Sequence, residues 1–319
     1  MNNLKTMKHL YFRSLSLHVL LILLVFLCIG CDVTNKLEET DPCIFCDESF
    51  FIIDSEPALS PDSNKIAYVV TDVAGKLCIY LISSNGKNKR LFHSGNVGSP
   101  SWSPDNNWLV FHENAQIFKK HIETDSLVQL TQSGRNFFPD WSPDSDWIAY
   151  DNTTCGSSNE PPPANSCGVL ILNSEISTKM LVKRYSRMPT WKPFANEISF
   201  VNRAVLPSGK VKGDSLWTYS LKDSTTSFLT FIEGDNRYLK YSPDGMRLLF
   251  TSQPYTSQTN IYLLDLHEKS IKQLTTKGAY SNDWSPDGAW IVYTEASKTG
   301  RLWLMKPDGS EKKQLTYEN

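Results

Sequence analysis

An all-β chain, folded as a six-bladed β-propeller of four-stranded blades after an N-terminal signal peptide, is what the sequence predicts. Three observations carry that prediction. The segment PDWSPDSDWIAY (Pro139–Tyr150) has a near double in NDWSPDGAWIVY (Asn282–Tyr293), 143 positions further on. Ser-Pro-Asp recurs at Ser60, Ser103, Ser142, Ser242 and Ser285, with a degenerate copy at Lys192-Pro193-Phe194, at intervals of 43, 39, 50, 50 and 43 residues. Six positions after each anchor stands an aliphatic residue and eight after it an aromatic, the alternation expected of a strand. Four short strands at a period of about 45 residues are the footprint of a propeller blade.

Taken in chain order, residues 1–30 read as a targeting signal. Lys5, Lys8 and Arg13 precede the apolar run VLLILLVFLCI (Val19–Ile29), which ends at the small residue Gly30. The run is shorter than the roughly 20 residues a membrane-spanning helix needs. The LCIGC segment resembles the bacterial lipoprotein box, with Cys28 where leucine is more usual and Leu27 one place early. That resemblance implies lipidation of Cys31, which becomes the mature N-terminus, and anchoring of the exported chain at a membrane of the bacterial cell envelope, on its periplasmic face or at the cell surface. More than one acyl chain holds a protein firmly, whereas one is marginal. Loss of the three cations of the first thirty residues takes the formal net charge from −2 to −5. No basic stripe or tail is present, which argues against a nucleic-acid partner.

Residues 31–54 form a tether that carries a CxxC step, Cys43 and Cys46. An exported chain sits where disulfides persist, so Cys43 with Cys46 and Cys155 with Cys167 are the expected bridges. The second would close the Pro-rich GSSNEPPPANS stretch. No further ligand pair completes a zinc site at the CxxC, and the βαβ context of a redox motif is missing. Cys78 falls in an expected strand and reads as a buried packing residue.

Residues 55–319 hold the six blades. In each, the first strand ends just before the anchor, at Leu59, Trp102, Trp141, Trp191, Tyr241 or Trp284. Ser-Pro-Asp is a turn in which Pro presets φ at the second position. The second strand is the Ile-x-aromatic segment. The third carries pairs such as Ile79-Tyr80 and Leu302-Trp303, and the fourth carries QLT at Gln129–Thr131, Gln273–Thr275 and Gln314–Thr316. All nine tryptophans fall on repeat positions, so their abundance reflects packing between blades. Ring closure stays open: the last blade owns four strands, and FFII (Phe50–Ile53) reads as an added strand or a channel cover.

The pattern WSPDG…I-x-F/Y…IY…QLT resembles the WD-like repeats of the TolB-type propeller, which occur also in dipeptidyl-peptidase-like enzymes. The resemblance spans about 260 residues and implies the fold. Only some two dozen residues separate Cys31 from the first blade, so the extra α/β domain of TolB is expected to be absent. The peptidases' hydrolase domain is likewise expected to be absent, since only a few residues follow Gln314.

The topology nominates one face. If first strands run from top to bottom, the Ser-Pro-Asp turns lie at the bottom. The two long insertions, Asp151–Gly168 and Arg203–Ser215, then decorate the top of blades 3 and 4. The segments GRNFFPD, RYSRMPT, GDNRYLK and GAYSND read as top loops near the central channel. They bring Asn136, Phe137, Tyr185, Arg187, Asn236, Arg237, Tyr238 and Tyr280 to a candidate binding surface. Exposed Arg and Tyr on a rigid scaffold have the composition of an interface. Arg187 and Arg237 are expected to grip a partner's carboxylates bidentately, a geometry that lysine does not reproduce.

Two function classes follow. The first is a binding scaffold that holds an envelope protein, peptide or glycan through the top face. The second is a propeller-type lyase or hydrolase acting on an envelope or extracellular polysaccharide or peptide. Catalysis needs a metal cluster or positioned acids and bases. His93, His112, His121 and His267 are expected near strand ends or between outer strands, away from the channel. Asp140, Asp283, Glu56 and Asp235 are the carboxylates near it. The expectation is therefore a non-enzymatic binder without cofactor or metal, whose carboxylates are solvated loop residues.

Overall fold

The computed structural model describes residues 53–72, 74–155, 167–175, 178–205, 211–254, 258–297 and 299–317. Cys31, Cys43 and Cys46 lie outside the described residues, as do Phe50 to Ile52 of the FFII stretch. The described residues form 24 strands in six sheets, each of four consecutive antiparallel strands. The blades span 53–95, 97–129, 136–184, 186–232, 235–273 and 279–314. No helix among the described residues is long and apolar enough to cross a membrane.

Six apolar clusters, one at each blade junction, make up the core. At the junction between the last blade and the first, Ile66, Tyr68, Ile82, Leu302, Leu304 and Leu315 share one cluster. The ring closes by this packing, with no strand exchanged among the described residues. Buried Asp54 adds polar links: its N–H donates to the Gly300 carbonyl, and its carboxylate accepts from Thr316 Oγ1 at 2.6 Å. Of the FFII stretch only Ile53 is described, and it opens the innermost strand of blade 1.

The recurring residues have recurring jobs. In five turns the anchor Ser Oγ donates to the turn Asp and accepts the backbone N–H five residues on. Three of the four tryptophans before an anchor donate their indole N–H across to a neighbouring blade, Trp102 to Ala58 O, Trp191 to Asp140 O and Trp284 to Lys240 O, whereas Trp141 Nε1 is buried without a partner. The threonine of QLT caps the third strand: Thr131 and Thr275 Oγ1 accept the N–H of Ile117 and Ile261.

Strand order puts the Ser-Pro-Asp turns at one end of the ring and both insertions at the other. The second insertion is largely not a loop. The strands Glu197–Val205 and Val211–Ser220 continue pairing as far as Val205 with Val211. Cys155 and Cys167 are joined by a disulfide. Cys78 is buried in its strand and is itself disulfide-bonded, so it is more than a packing residue; its partner lies outside the described residues.

Candidate functional site at the channel mouth

Four segments that read as top loops are in fact the innermost strands: Asn136–Trp141, Ser186–Trp191, Asp235–Tyr241 and Ala279–Trp284. Each innermost strand, in all six blades, carries a β-bulge against the second strand. At the bulge one residue per blade is left-handed: Glu56, Ser99, Phe138, Met188, Tyr238 and Ser281, with φ between 50 and 55°. All six are non-glycine, a costly conformation that gathers at functional or over-determined positions. All six line the central pocket.

The next residue in each blade forms a second ring: Pro57, Pro100, Pro139, Pro189, Leu239 and Asn282. Proline suits a bulge because it has no N–H to leave unpaired. Asp140 and Lys240 complete the lining, and the space, open mouth included, is about 470 Å³.

Two polar links cross the channel. Tyr238 Oη donates to Glu56 Oε1 at 3.1 Å, joining blade 5 to blade 1, while Glu56 Oε2 accepts the Ser99 N–H. Lys240 Nζ donates to Asp140 Oδ1 at 2.7 Å, joining blade 5 to blade 3. Burial opposes the Lys240 charge, but Asp140 and Asp283 reverse this and raise its pKa. Burial pushes Asp283 up to about 6 against the pull of Lys240. The carboxylates expected as solvated loop groups are therefore structural acceptors at blade junctions.

His112 departs from expectation. It lies beside Glu56 at the channel mouth, where a Cβ on Gly98 would meet His112 Nε2 at 2.9 Å and Glu56 Oε2 at 3.0 Å. Its ring meets Phe137 edge-on at 5.1 Å, and its Nδ1 is buried without a hydrogen-bond partner. Burial lowers its pKa, with Glu56 opposing. The missed signal is positional: His112 follows the aromatic of a second strand, which places it across from the bulge.

Above this ring the two arginines are already engaged. Arg187 Nη2 contacts Asp214 Oδ2 at 2.9 Å and Asp235 Oδ1 at 2.5 Å. Arg237 grips Asp235 Oδ2 through Nε at 3.1 Å and Nη2 at 2.7 Å. Burial would raise Asp235, yet Arg237 and Arg187 hold it down to about 2. The bidentate geometry expected toward a partner is thus directed at the protein's own carboxylates. Asn136 and Asn236 are buried; Asn136 Nδ2 donates to Thr131 Oγ1, and the Asn236 N–H to Asp214 Oδ2. They brace the strands and do not reach the surface. Tyr185, in the one-residue link between blades 3 and 4, is 62% exposed. Phe137, Tyr238 and Tyr280 are half-buried around the mouth. No group of three or more His, Cys, Asp or Glu suited to a metal is present among the described residues.

No protein-family model matches the chain. Its fold is that of TolB-type propellers. TolB from Acinetobacter baumannii superposes with a TM-score of 0.66 at 19% identity, over 79% of this chain and 63% of that one. The chain thus spans under two thirds of that TolB's length. A putative TolB from Agrobacterium tumefaciens gives 0.59 at 20% identity, over 72% and 84%. An oligogalacturonate lyase in complex with manganese gives 0.57 at 12% identity, over 84% and 78%. At these identities the likeness is one of fold.

Proposed function

We propose that this chain is an exported, lipid-anchored propeller that holds a protein, peptide or glycan partner at the bacterial envelope through its channel-mouth face. One observation carries the reading. Tyr185, Phe137, Tyr238 and Tyr280 lie on or beside the innermost strands at one end of the ring, where Asp214, Asp235 and Glu56 tie those strands to their neighbours. Rigid aromatic side chains on such a scaffold give contact area at small entropic cost. Arg187 and Arg237 act as positioning residues for this rim. The charged N-terminus, the apolar run and Gly30-Cys31 support export and anchoring at Cys31.

The test uses the full-length chain cross-linked in native envelopes, wild type against the Phe137→Ala/Tyr185→Ala double variant. One protein or glycan captured by the wild type and lost by the variant is the expected result. Retention of every captured partner, or capture of none by a folded wild type, sinks the reading.

A second reading rests on the Glu56, Tyr238 and His112 group. A carboxylate, a phenol and an imidazole at one mouth fit acid–base chemistry on a polysaccharide or peptide. Turnover of an envelope glycan that survives Glu56→Gln and His112→Ala would remove it.

A further inference from the structure

Cys78 carries a disulfide at the seam where the ring closes. It stands directly opposite Val70, which stands opposite Asp54, so the three lie in line across blade 1. Residues that face one another across antiparallel strands point to the same side of the sheet. For this trio that side is the last blade. Asp54 accepts from Thr316 Oγ1 and lies 3.6 Å from Arg301 Nη1, while Val70 and Cys78 share a cluster with Leu302, Leu304 and Leu315. The running chain joins each blade to the next, but not the last to the first. Cys78 is 1% exposed and disulfide-bonded, and its bond is not to Cys155 or Cys167, which are joined to each other. The remaining cysteines of the sequence are Cys28, Cys31, Cys43 and Cys46.

We propose that the partner of Cys78 is a cysteine of the tether, Cys43 or Cys46, and that this bond staples the tether to the closing seam. The inference rests on the export and anchoring part of the reading above, in which Cys28 leaves with the signal and Cys31 carries lipid. A second observation points the same way. Pro42–Asn319 form one compact unit, which holds Cys43, Cys46 and Cys78, whereas Cys28 and Cys31 belong to another. Reach permits either partner. Neighbouring strands run about 4.8 Å apart, which sets Cys78 about 10 Å from Asp54. Cys46 precedes Asp54 by 8 residues and Cys43 by 11, and extended chain covers roughly 3.3 Å per residue. The Cys43–Cys46 bridge expected of the CxxC step is then excluded, because one member is taken. The other member keeps its thiol, since two bridges use four of the five cysteines after Cys31. The staple closes a loop of 32 or 35 residues, long enough to restrict the unfolded chain strongly. It does so at the one junction that the running chain does not cross. The thiol left over, three residues from a disulfide in an exported chain, is the site for a mixed disulfide with another thiol.

Mass spectrometry tests the pairing on protein purified from native envelopes, alkylated with N-ethylmaleimide in denaturant and digested with trypsin without reduction. Cys43 and Cys46 fall in one tryptic peptide, residues 37–65, and Cys78 in another, residues 77–87. The expected product is these two peptides joined by a disulfide and carrying one maleimide. A bridge internal to residues 37–65, with Cys78 joined to neither member, overturns the proposal and leaves the anchoring reading intact. A link from Cys78 to Cys28 or Cys31 overturns both, since a removed or lipidated cysteine has no thiol to share. Melting then tests the seam. Cys43→Ala/Cys46→Ala leaves the buried Cys78 in place and is expected to melt about 5 °C below wild type. Adding Cys78→Ala to that variant lowers the melting temperature by less than Cys78→Ala lowers it in wild type. An unchanged melting temperature in the tether double variant overturns the staple's role at the seam.

Discussion

Asp283 of the last blade accepts the backbone N–H of Leu59 in the first, at 2.8 Å. Asp140 of blade 3 does the same for Trp191 of blade 4, at 3.0 Å. The junction that closes the ring is therefore built with a bond used inside the ring. Asp283→Ala leaves a buried N–H without an acceptor and costs about 1–3 kcal/mol. Asp283→Asn keeps an oxygen there and costs less. Urea melts of both variants check this, and equal losses would mean that the acceptor is not what matters.

Asp151 sits 3% exposed beside the junction of blades 3 and 4. Burial pushes its pKa up to about 7, against Arg187 and the Met188 N–H, which favour the charged form. The folded protein then binds more protons than the unfolded chain between about pH 4 and 7, so stability falls as pH rises through that window. Asp151→Asn carries no titrating group there. Its stability–pH profile is expected to be flatter than wild type from about pH 4 to 7, and parallel profiles would contradict the burial argument.

The six anchors, the alternating second strands and the tryptophan positions were legible because each blade repeats the same turn and the same buried face. The innermost strands were not. Each has a bulge, which sets Phe138 or Tyr238 left-handed and shifts the register by a residue. That breaks the period-2 pattern, so GRNFFPD and GDNRYLK read as loops. The aromatics of the mouth were legible as residues, but their partners were not. Nothing in sequence spacing sets Asp214 and Asp235 against Arg187, because Asp214 comes from the third strand of the same blade and Asp235 from the neighbouring blade 5. His112 was lost for the same reason, since its neighbour Glu56 comes from another blade.

Arg187 and Arg237 look alike in sequence and differ in burial. Arg187 compensates fully buried Asp214 and shared Asp235, whereas the Arg237 side chain is 46% exposed. Arg187→Ala removes the charge facing a buried carboxylate and is expected to cost about 3 kcal/mol. Arg237→Ala costs about 1 kcal/mol or less, since a half-exposed pair is screened by solvent. Chemical denaturation of the two single variants checks the order, and a larger loss for Arg237→Ala would reverse this reading of the network.

Phe194 replaces the turn Asp in blade 4, and with it the turn changes. In the other five blades the left-handed residue is the fourth of the turn: Ser63, Asn106, Ser145, Gly245 and Gly288. In Lys192-Pro193-Phe194-Ala195 it is the third, Phe194, with φ of 58°. A residue with φ above zero after proline is where a turn favours glycine, and a bulky side chain there is strained by roughly 1–2 kcal/mol. Phe194 is 89% exposed, so its ring contributes little packing to offset that strain. Phe194→Gly is therefore expected to raise stability by about 1 kcal/mol in denaturant melts, less the extra backbone entropy glycine brings to the unfolded chain. A loss of stability would mean that the ring makes contacts which its exposure does not reveal.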